Sequence, residues 1–550
     1  MSINLNRRKS VMGRSIKLGH CVCDPKKPCP CETFEKHNVC TCAGERLPRK
    51  TGDVALTKFV RKAGCASKIG QADLNRILSK LPPVTDPKVL VGTAAANDAG
   101  VYTMDDARVL VHTVDVFSPC VDDPYLFGQI AAANSVSDVY AMGGKPISAL
   151  SIIGFPIDEL DGEIMEQILK GGLDKLEKAG CCLIGGHSIN DTEIKCGFAV
   201  TGILDSEKDL KKRDAAKPGD LLVLTKPLGT GMISFATQIG RIGPEWLQNA
   251  GEMMAVLNRD AAELMIKYEA HAATDITGFA LMGHLVEMIR RSGVSAKIDM
   301  SSLPVFAAAK ICLENSFLPG AIERNQEYSM AWAMVEDESS PENLPILYDP
   351  QTSGGLLVAM SPENAEKYVS GMKSRGHNAV SIIGRIVEKS PEYGEGRVII
   401  ENSDLRNFYG NPEEVTILSS EHIFEEAPEK VEKTGIQPEE APCCANPPTF
   451  DDVAGESSEK SPVLNSYHMF GDFMKETNKP GLIDKKNKKL MAIALSVARH
   501  CEPCLKSHIK TALNMGISKA EIDEAAWLAI SFCGCPAMMF YKDVCKELNI

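Results

Sequence analysis

Residues 109–144, VLVHTVDVFSPCVDDPYLFGQIAAANSVSDVYAMGG, decide the fold class. VLVHTVDVF (109–117) is β-rich and predicts a strand, and 122–144 carries a helical pattern that ends in glycine. The same alternation continues on both sides. ISALSIIGF (147–155), FAVTGIL (198–204) and LLVLTKP (221–227) read as strands, and DGEIMEQILKGGLDKLEKAG (161–180) as a second glycine-terminated helix. Between residues 85 and 402 this predicts an α/β domain or a pair of them.

The ends of the chain differ from this middle. Residues 1–50 hold 11 Lys/Arg against 4 Asp/Glu, whereas 411–462 hold 3 against 13 and are rich in proline, which predicts a solvated linker. Most of the net charge of −13 is therefore a linker property, and it argues against broad attraction to nucleic acid. Beyond residue 463 the pattern is nearly continuous helix. Residues 1–20 lack an apolar core, and the longest uncharged stretch, Ala526–Tyr541, is too short to span a bilayer. The expectation is a cytoplasmic protein without membrane contact, in which closely spaced cysteines read as metal or redox sites.

Nineteen cysteines are crowded toward the ends: six within 21–42, seven beyond residue 440, and six between. In the middle, Asp98, Asp115, Asp138 and Asp275 sit in largely uncharged neighbourhoods beside predicted strands or in a helix. Hard divalent cations need such carboxylates, although isolated acids of this kind are also common caps and turn residues. The glycine clusters LIGGHSIND (183–191), TKPLGTGM (225–232) and DPQTSGGL (349–356) allow close phosphate approach, or are simply turns. No P-loop and no kinase catalytic set is present. From the residues alone, a Mg-nucleotide enzyme is one reading among several.

DAGVYTMDDARVLVHTVDVFSPCVDDPYLFGQIAAANSVSDVYAMGGKP, GGHSINDTEIKCGFAVTG, LTKPLGTG, TDITGFALMGHL and DPQTSGGLL, in this order, closely resemble the selenophosphate synthetase (selenide, water dikinase) family. The resemblance covers roughly residues 58–402. It implies ATP-dependent synthesis of selenophosphate from selenide and water, with AMP and phosphate released. It also implies a two-domain subunit of the aminoimidazole ribonucleotide synthetase type, divided here as 51–210 (ATP/Mg) and 211–402, that dimerises through its N-terminal half. Magnesium positions fall on Asp98, Asp138 and Asp275, and nucleotide-contact positions on Lys68, Ala95, Ala96, Asn97, Asp115, Asp138, Gly185, Gly186 and His187. Within KAGCASKIGQADL (62–74), Cys65 and Lys68 match the family's active-site Cys-x-x-Lys, with Ser67 where a second cysteine often stands. A nearby ammonium favours the thiolate, so Cys65 is expected to be reactive and Lys68 to neutralise phosphate. Cys120, Cys181, Cys182, Cys196 and Cys312 are expected to be structural.

In the C-terminal region (463–550), Cys501, Cys504 and His508 fall on one helical face, Gly516 is expected to end that helix, and Ser518 and Glu521 to cap the next. This segment resembles the alkylhydroperoxidase-D/carboxymuconolactone decarboxylase-like family, which implies dithiol redox chemistry. Lys489 lies near the position where peroxidase members carry a glutamate. Zinc binding and an inert bundle are the alternatives.

At the N-terminus (1–50), Cys21, Cys23, Cys29, Cys31, Cys40 and Cys42 form three CxC pairs in a polar, proline-containing segment that apolar burial does not explain. A soft metal (zinc or copper), selenium capture, and a disordered surplus are the open readings. The acidic linker is placed at 403–462. The expected assembly is a homodimer or larger homo-oligomer that uses ATP and selenide, with a selenium-delivery or thiol-reductant protein as a further partner. The competing functions are a related ATP-dependent synthetase or kinase with another substrate, and a metal or thiol scaffold around an inactive core.

Overall fold

A computed structural model describes residues 5–18, 20–22, 28–31, 34–35, 38–43, 45, 54–80, 82, 84–92, 98–104, 108–336, 339–389, 396–415, 417–418, 484–499, 502–533 and 535–548. The chain forms two compact units, Met1–Ala427 and Pro428–Ile550.

The first unit holds two large sheets. One contains β1 (Val89–Val91), β2 (Gly100–Thr103), β3 (Val109–Phe117), β4 (Lys145–Phe155), β5 (Cys182–Asn190) and β6 (Lys195–Leu204), in the order β1-β2-β3-β6-β4-β5. Neighbours are antiparallel except β4 and β5, which are joined through the helix Gly162–Lys178 and run parallel. The helix Pro124–Ala141 begins where Asp123 accepts hydrogen bonds from the N–H groups of Tyr125 and Leu126. It is buried nearly all round because the sheet packs on one side and Gly162–Lys178 on the other. The two helices approach through small residues: a Cβ on Gly128 would lie 1.8 Å from the carbonyl oxygen of Ile168. The opposite sheet face is open, with Val114, Leu150 and Ile184 exposed.

The second sheet comprises β7 (Leu221–Leu224), β8 (Ala272–Asp275), β9 (Ser295–Asp299), β11 (Ala333–Val335), β12 (Leu356–Met360), β13 (Ser381–Val387) and β14 (Val398–Asn402), in the order β11-β14-β9-β13-β7-β12-β8. The neighbouring interior strands β7 and β12 are continuous apolar runs, as burial on both faces requires. A short parallel pair joins β10 (Val305–Phe306) to β15 (Phe408–Tyr409). Residues 403–415, read from the sequence as the start of the linker, thus belong partly to the first unit, because Phe408 packs against its core and Tyr409 sets its ring edge-on to Phe306.

The second unit is built from the helices Lys485–Ala498, Glu502–Asn514, Lys519–Cys533 and Cys535–Glu547 around Ile493, Val497, Leu505, Ile509 and Ile522. Gly516 adopts φ +78° after the second helix, and Ser518 and Glu521 exchange the bonds of a capping box before the third. Both features match the sequence expectation. Among the described residues no helix is long and apolar enough to cross a membrane.

Candidate active site

Asp275 ends β8, Asp138 lies in the helix Pro124–Ala141, and Asp98 precedes β2. Carboxylate oxygens of these three lie within 4.8 Å of one another, although 177 positions separate the outer two in sequence (275 − 98). Thr113 donates to Asp138, Thr274 Oγ1 donates to Asp98 across 2.8 Å, and the Arg213 guanidinium pairs with Asp98. One oxygen each of Asp98 and Asp275 is buried without a hydrogen-bond partner. Burial first, and then the charge of Asp98, pushes Asp275 up to about 7. Burial and the charges of Asp275, Asp115 and Asp98 raise Asp138 well above the usual carboxylate range. Three clustered carboxylates with orphaned oxygens, two of which resist ionisation, have the donor set of a hard divalent cation.

Asp115 belongs to a different arrangement. It is near the end of β3, and its carboxylate takes the Lys68 ammonium at 2.6 Å and the Asn134 amide. Burial works against the Lys68 charge, but Asp115, Cys65 and Asp138 outweigh it and hold the ammonium protonated. Asn134 also accepts the N–H of Ser353 at 2.9 Å, which ties the helix to the DPQTSGGL loop.

Cys65 opens a short helical turn, Cys65–Ser67, that precedes the helix Gln71–Leu78. Its N–H donates to Thr352 Oγ1 at 3.0 Å, and Gly64 before it adopts φ +55°. A Cβ on Gly64 would lie 2.3 Å from Thr352 Oγ1, and one on Gly278 would lie 3.4 Å from both Cys65 Cβ and Lys68 Cδ. The segment is therefore clasped by loops from the second sheet. Here the sequence expectation needs correction: Cys65 is fully buried and burial pushes its thiol up to about 11, against the opposing effect of Lys68. The ammonium is committed to Asp115, so the closed arrangement holds a thiol rather than a thiolate.

Several surrounding residues were not singled out by sequence reasoning. His284 is kept neutral by burial and by the charges of Arg213 and Lys68. Its Nε2 accepts the Thr277 N–H at 3.2 Å, which leaves the proton on Nδ1, facing Thr274 Oγ1 at 3.3 Å. Hydrogen-bond contacts thus link His284 through Thr274 to Asp98. Cys120, expected to be structural, lies beside the Cys65–Lys68 segment: its Cβ is 3.1 Å from a Cβ built on Gly64, and the charge of Cys65 adds to burial in raising its thiol. Cys182 is exposed at the start of β5 rather than buried as a structural cysteine, because β5 is an uncovered edge strand.

Gly185, Gly186 and His187 lie on that exposed edge strand, three strands from β3. At about 4.8 Å per strand they are roughly 14 Å from the strand of Asp115, so the structure does not gather them with the acids. Ala95, Ala96 and Asn97 lie outside the described residues.

In the second unit, Cys504 and His508 share one face of the helix Glu502–Asn514, while Cys501 lies outside the described residues. Lys489 Nζ stands 3.2 Å from His508 Nδ1. Burial, and then the Lys489 charge, lowers His508 to about 4. Of the N-terminal cysteines, Cys21, Cys29, Cys31, Cys40 and Cys42 line one cavity, and Cys23 lies outside the described residues.

Residues 96–204 match the family model described as AIR synthase related protein, N-terminal domain, residues 217–395 match its C-terminal domain, and residues 465–547 match the carboxymuconolactone decarboxylase family. The two sheets with the acid cluster are thus a two-domain α/β unit of the AIR synthase-related class, followed by an all-α domain of the second family. Among curated relatives, a selenide, water dikinase of Pelobacter propionicus is 41% identical over 348 residues, which span 63% of this chain and 99% of that protein. Another, from Geobacter metallireducens, is 43% identical over 332 residues, 60% of this chain and 96% of that protein. The chain belongs to the selenide, water dikinase family and carries a carboxymuconolactone decarboxylase-family domain behind it. Among solved structures, a thiamine monophosphate kinase from Aquifex aeolicus is 20% identical with a TM-score of 0.41, covering 56% of this chain and 92% of that one.

Proposed function

We propose that this chain makes selenophosphate from selenide, ATP and water, with release of AMP and phosphate, and that its helical domain is an attached thiol-redox module. The observation that carries the reading is the partly buried cluster of Asp98, Asp138 and Asp275 beside the Cys65–Lys68–Asp115 arrangement. It stands in a chain that aligns along nearly the whole length of selenide, water dikinases.

The all-oxygen donor set with two orphaned buried oxygens fits Mg²⁺. Held by Asp98, Asp138 and Asp275, that ion would supply charge neutralisation for a bound polyphosphate. The chain's own residues do the positioning. Lys68 keeps its proton at Nζ and places a mobile positive charge where the transferred phosphoryl group becomes more negative. Asp115 and Asn134 hold that ammonium ready, and Arg213 supplies a second, buried cation. Cys65, fixed through Thr352 and beside Lys68, is the side chain placed to contact selenide, which stays at the selenide oxidation level throughout.

The reading includes a homodimer and a cytoplasmic location. Support for the dimer comes from the open face of the first sheet, where Val114, Leu150 and Ile184 are exposed, together with the remoteness of Gly185–His187 from the acids. Nucleotide contacts from these residues are assigned to the second copy.

The test is anaerobic incubation with ATP, Mg²⁺ and selenide, followed by phosphorus NMR. Selenide-dependent formation of AMP, phosphate and a selenophosphate signal is expected. ATP turnover indifferent to selenide would instead show a relative with another substrate, and no turnover would show an inactive scaffold. Cys65→Ser is expected to abolish the selenide-dependent reaction.

A further inference from the structure

The N-terminal segment has an interior, and that interior is sulfur. Val11 and Ser15, one helical turn apart on the helix Leu5–Leu18, face the folded-back segment that carries the CxC pairs. Arg8 closes the fold from the side: it pairs with Glu45, hydrogen-bonds the carbonyl of Asn38 at 2.7 Å and lies 5.3 Å over the Phe34 ring. Glu45 in turn accepts the N–H of Cys40 at 2.9 Å. These contacts fix the frame of a small module.

The frame encloses very little hydrocarbon. The buried apolar cluster consists of Val11, Cys40 and Ala43, with Met12, Phe34 and Cys42 partly buried against it. Units of this size do not hold together on such a core, and small modules of this kind need disulfides or a metal. In place of aliphatic side chains, five cysteines line the cavity: Cys21, Cys29, Cys31, Cys40 and Cys42. Cys21 and Cys40 are 3% and 8% exposed, and the sulfurs of Cys21 and Cys42 are 3.1 Å apart. Among the described residues no three of the five sulfurs lie within 4.8 Å of one another, so a metal bound here would draw them together. Burial, and after it the charges of Glu45, Cys21 and Cys29, disfavours ionisation of Cys40, while the Ala43 N–H favours it. These thiols are therefore close enough to feel one another's charge.

We infer that this cavity is a structural site for one thiophilic divalent cation of the zinc type, held by four cysteine thiolates with Cys21 and Cys40 always in the set. Four thiols lose their protons as four metal–sulfur bonds form, leaving a local charge of −2, and the excess of Lys/Arg in residues 1–50 offsets it. An all-sulfur donor set with no aqua position suits a closed structural site and not a catalytic one. The site is independent of the magnesium cluster, whose donors are all oxygen. It also stands apart from the synthetase reading and survives that reading's failure.

The experiment uses the full chain, purified anaerobically with a thiol reductant. Zinc is counted by mass spectrometry, and the metal-depleted protein is then titrated with Co²⁺ alone. One zinc per chain is expected, together with the thiolate-to-cobalt charge-transfer band and strong visible bands of a tetrahedral thiolate site. Cys40→Ala is expected to remove the band and the zinc. Cys40→His is expected to restore one equivalent with a shifted spectrum, which separates a lost ligand from a collapsed segment. A variant with both Cys501→Ser and Cys504→Ser is expected to keep the metal. Loss of metal in that variant, several copper ions per chain, a Cys21–Cys42 disulfide in the reduced preparation, or a charge-transfer band that survives Cys40→Ala would each overturn the assignment.

Discussion

Lys489 directs its ammonium at Nδ1 of His508 across 3.2 Å, so the imidazole on the helix Glu502–Asn514 accepts a hydrogen bond from a cation where a carboxylate partner would have received its N–H. The pair inverts the usual polarity of a thiol-redox relay. His508 is held neutral with its remaining proton on Nε2, and burial together with Lys489 depresses it to about 4. Lys489→Glu is expected to raise the imidazole from about 4 toward its ordinary range, with burial still opposing its charge. It is also expected to raise peroxide-dependent turnover at Cys501 and Cys504. Histidine NMR titration reads the first effect; an unchanged titration midpoint would show that Lys489 does not set it.

The same group makes the helical domain sensitive to acid. A histidine whose folded value is about 4, against an ordinary 6.5, contributes stability that is fully present above pH 6.5 and is lost as pH falls from 6.5 to about 4. After allowance for its partial exposure the loss is about 1–2 kcal/mol. Hydrogen exchange at the amides of Ile493, Ile509 and Ile522 is expected to accelerate through that window. The acceleration is expected to disappear in His508→Gln; its persistence would assign it elsewhere.

Asp275 gives a test with the opposite sign. Its folded value of about 7 exceeds the ordinary 3.8, so the fold favours the protonated acid and loses stability as pH rises from about 4 to 7. At pH 8, in chelator, Asp275→Asn is expected to be more stable than the parent by roughly 2–4 kcal/mol. The advantage is expected to vanish near pH 4, and Mg²⁺-dependent turnover to fall about a hundredfold or more. Chemical denaturation at the two pH values checks it, and an equal or lower stability at pH 8 would refute the assignment.

Gly64→Ala tests the clasp around the active-site segment. The substitution meets both an unfavourable φ of +55° and Thr352 Oγ1 at 2.3 Å. It is expected to lower stability by about 1–3 kcal/mol and to reduce selenide-dependent turnover more than binding of ATP. Thermal unfolding and steady-state kinetics separate the two effects. A variant with unchanged turnover would show that the position of Cys65 does not depend on this contact.

Local rules carried much of this into the sequence. The stop at Gly516 and the capping pair Ser518 and Glu521 are written within six residues, and the structure reproduces both. The alternation around 109–155 likewise yields β3, the helix Pro124–Ala141 and β4 with small boundary shifts. Asp98, Asp138 and Asp275 were visible as acids in apolar surroundings, and family resemblance joined them. Arg213 and Thr274 carried no such mark. Each reaches Asp98 across more than a hundred positions, a relation created only by packing the second sheet against the first. Cys120 was hidden for the same reason, since its neighbour Gly64 is 56 positions away (120 − 64). The thiolate expected at Cys65 failed because spacing to Lys68 gives proximity but not burial, and it does not reveal that Asp115 takes the ammonium.

The complete burial of Cys65 also sets a kinetic condition. No reagent or substrate can reach its sulfur while the N–H remains bonded to Thr352 and the loop at Gly278 covers it. With Cys65 in its proposed role, opening of this clasp sets the ceiling on turnover, and the alkylation rate of Cys65, relative to an exposed thiol such as Cys182, is a clock for that opening.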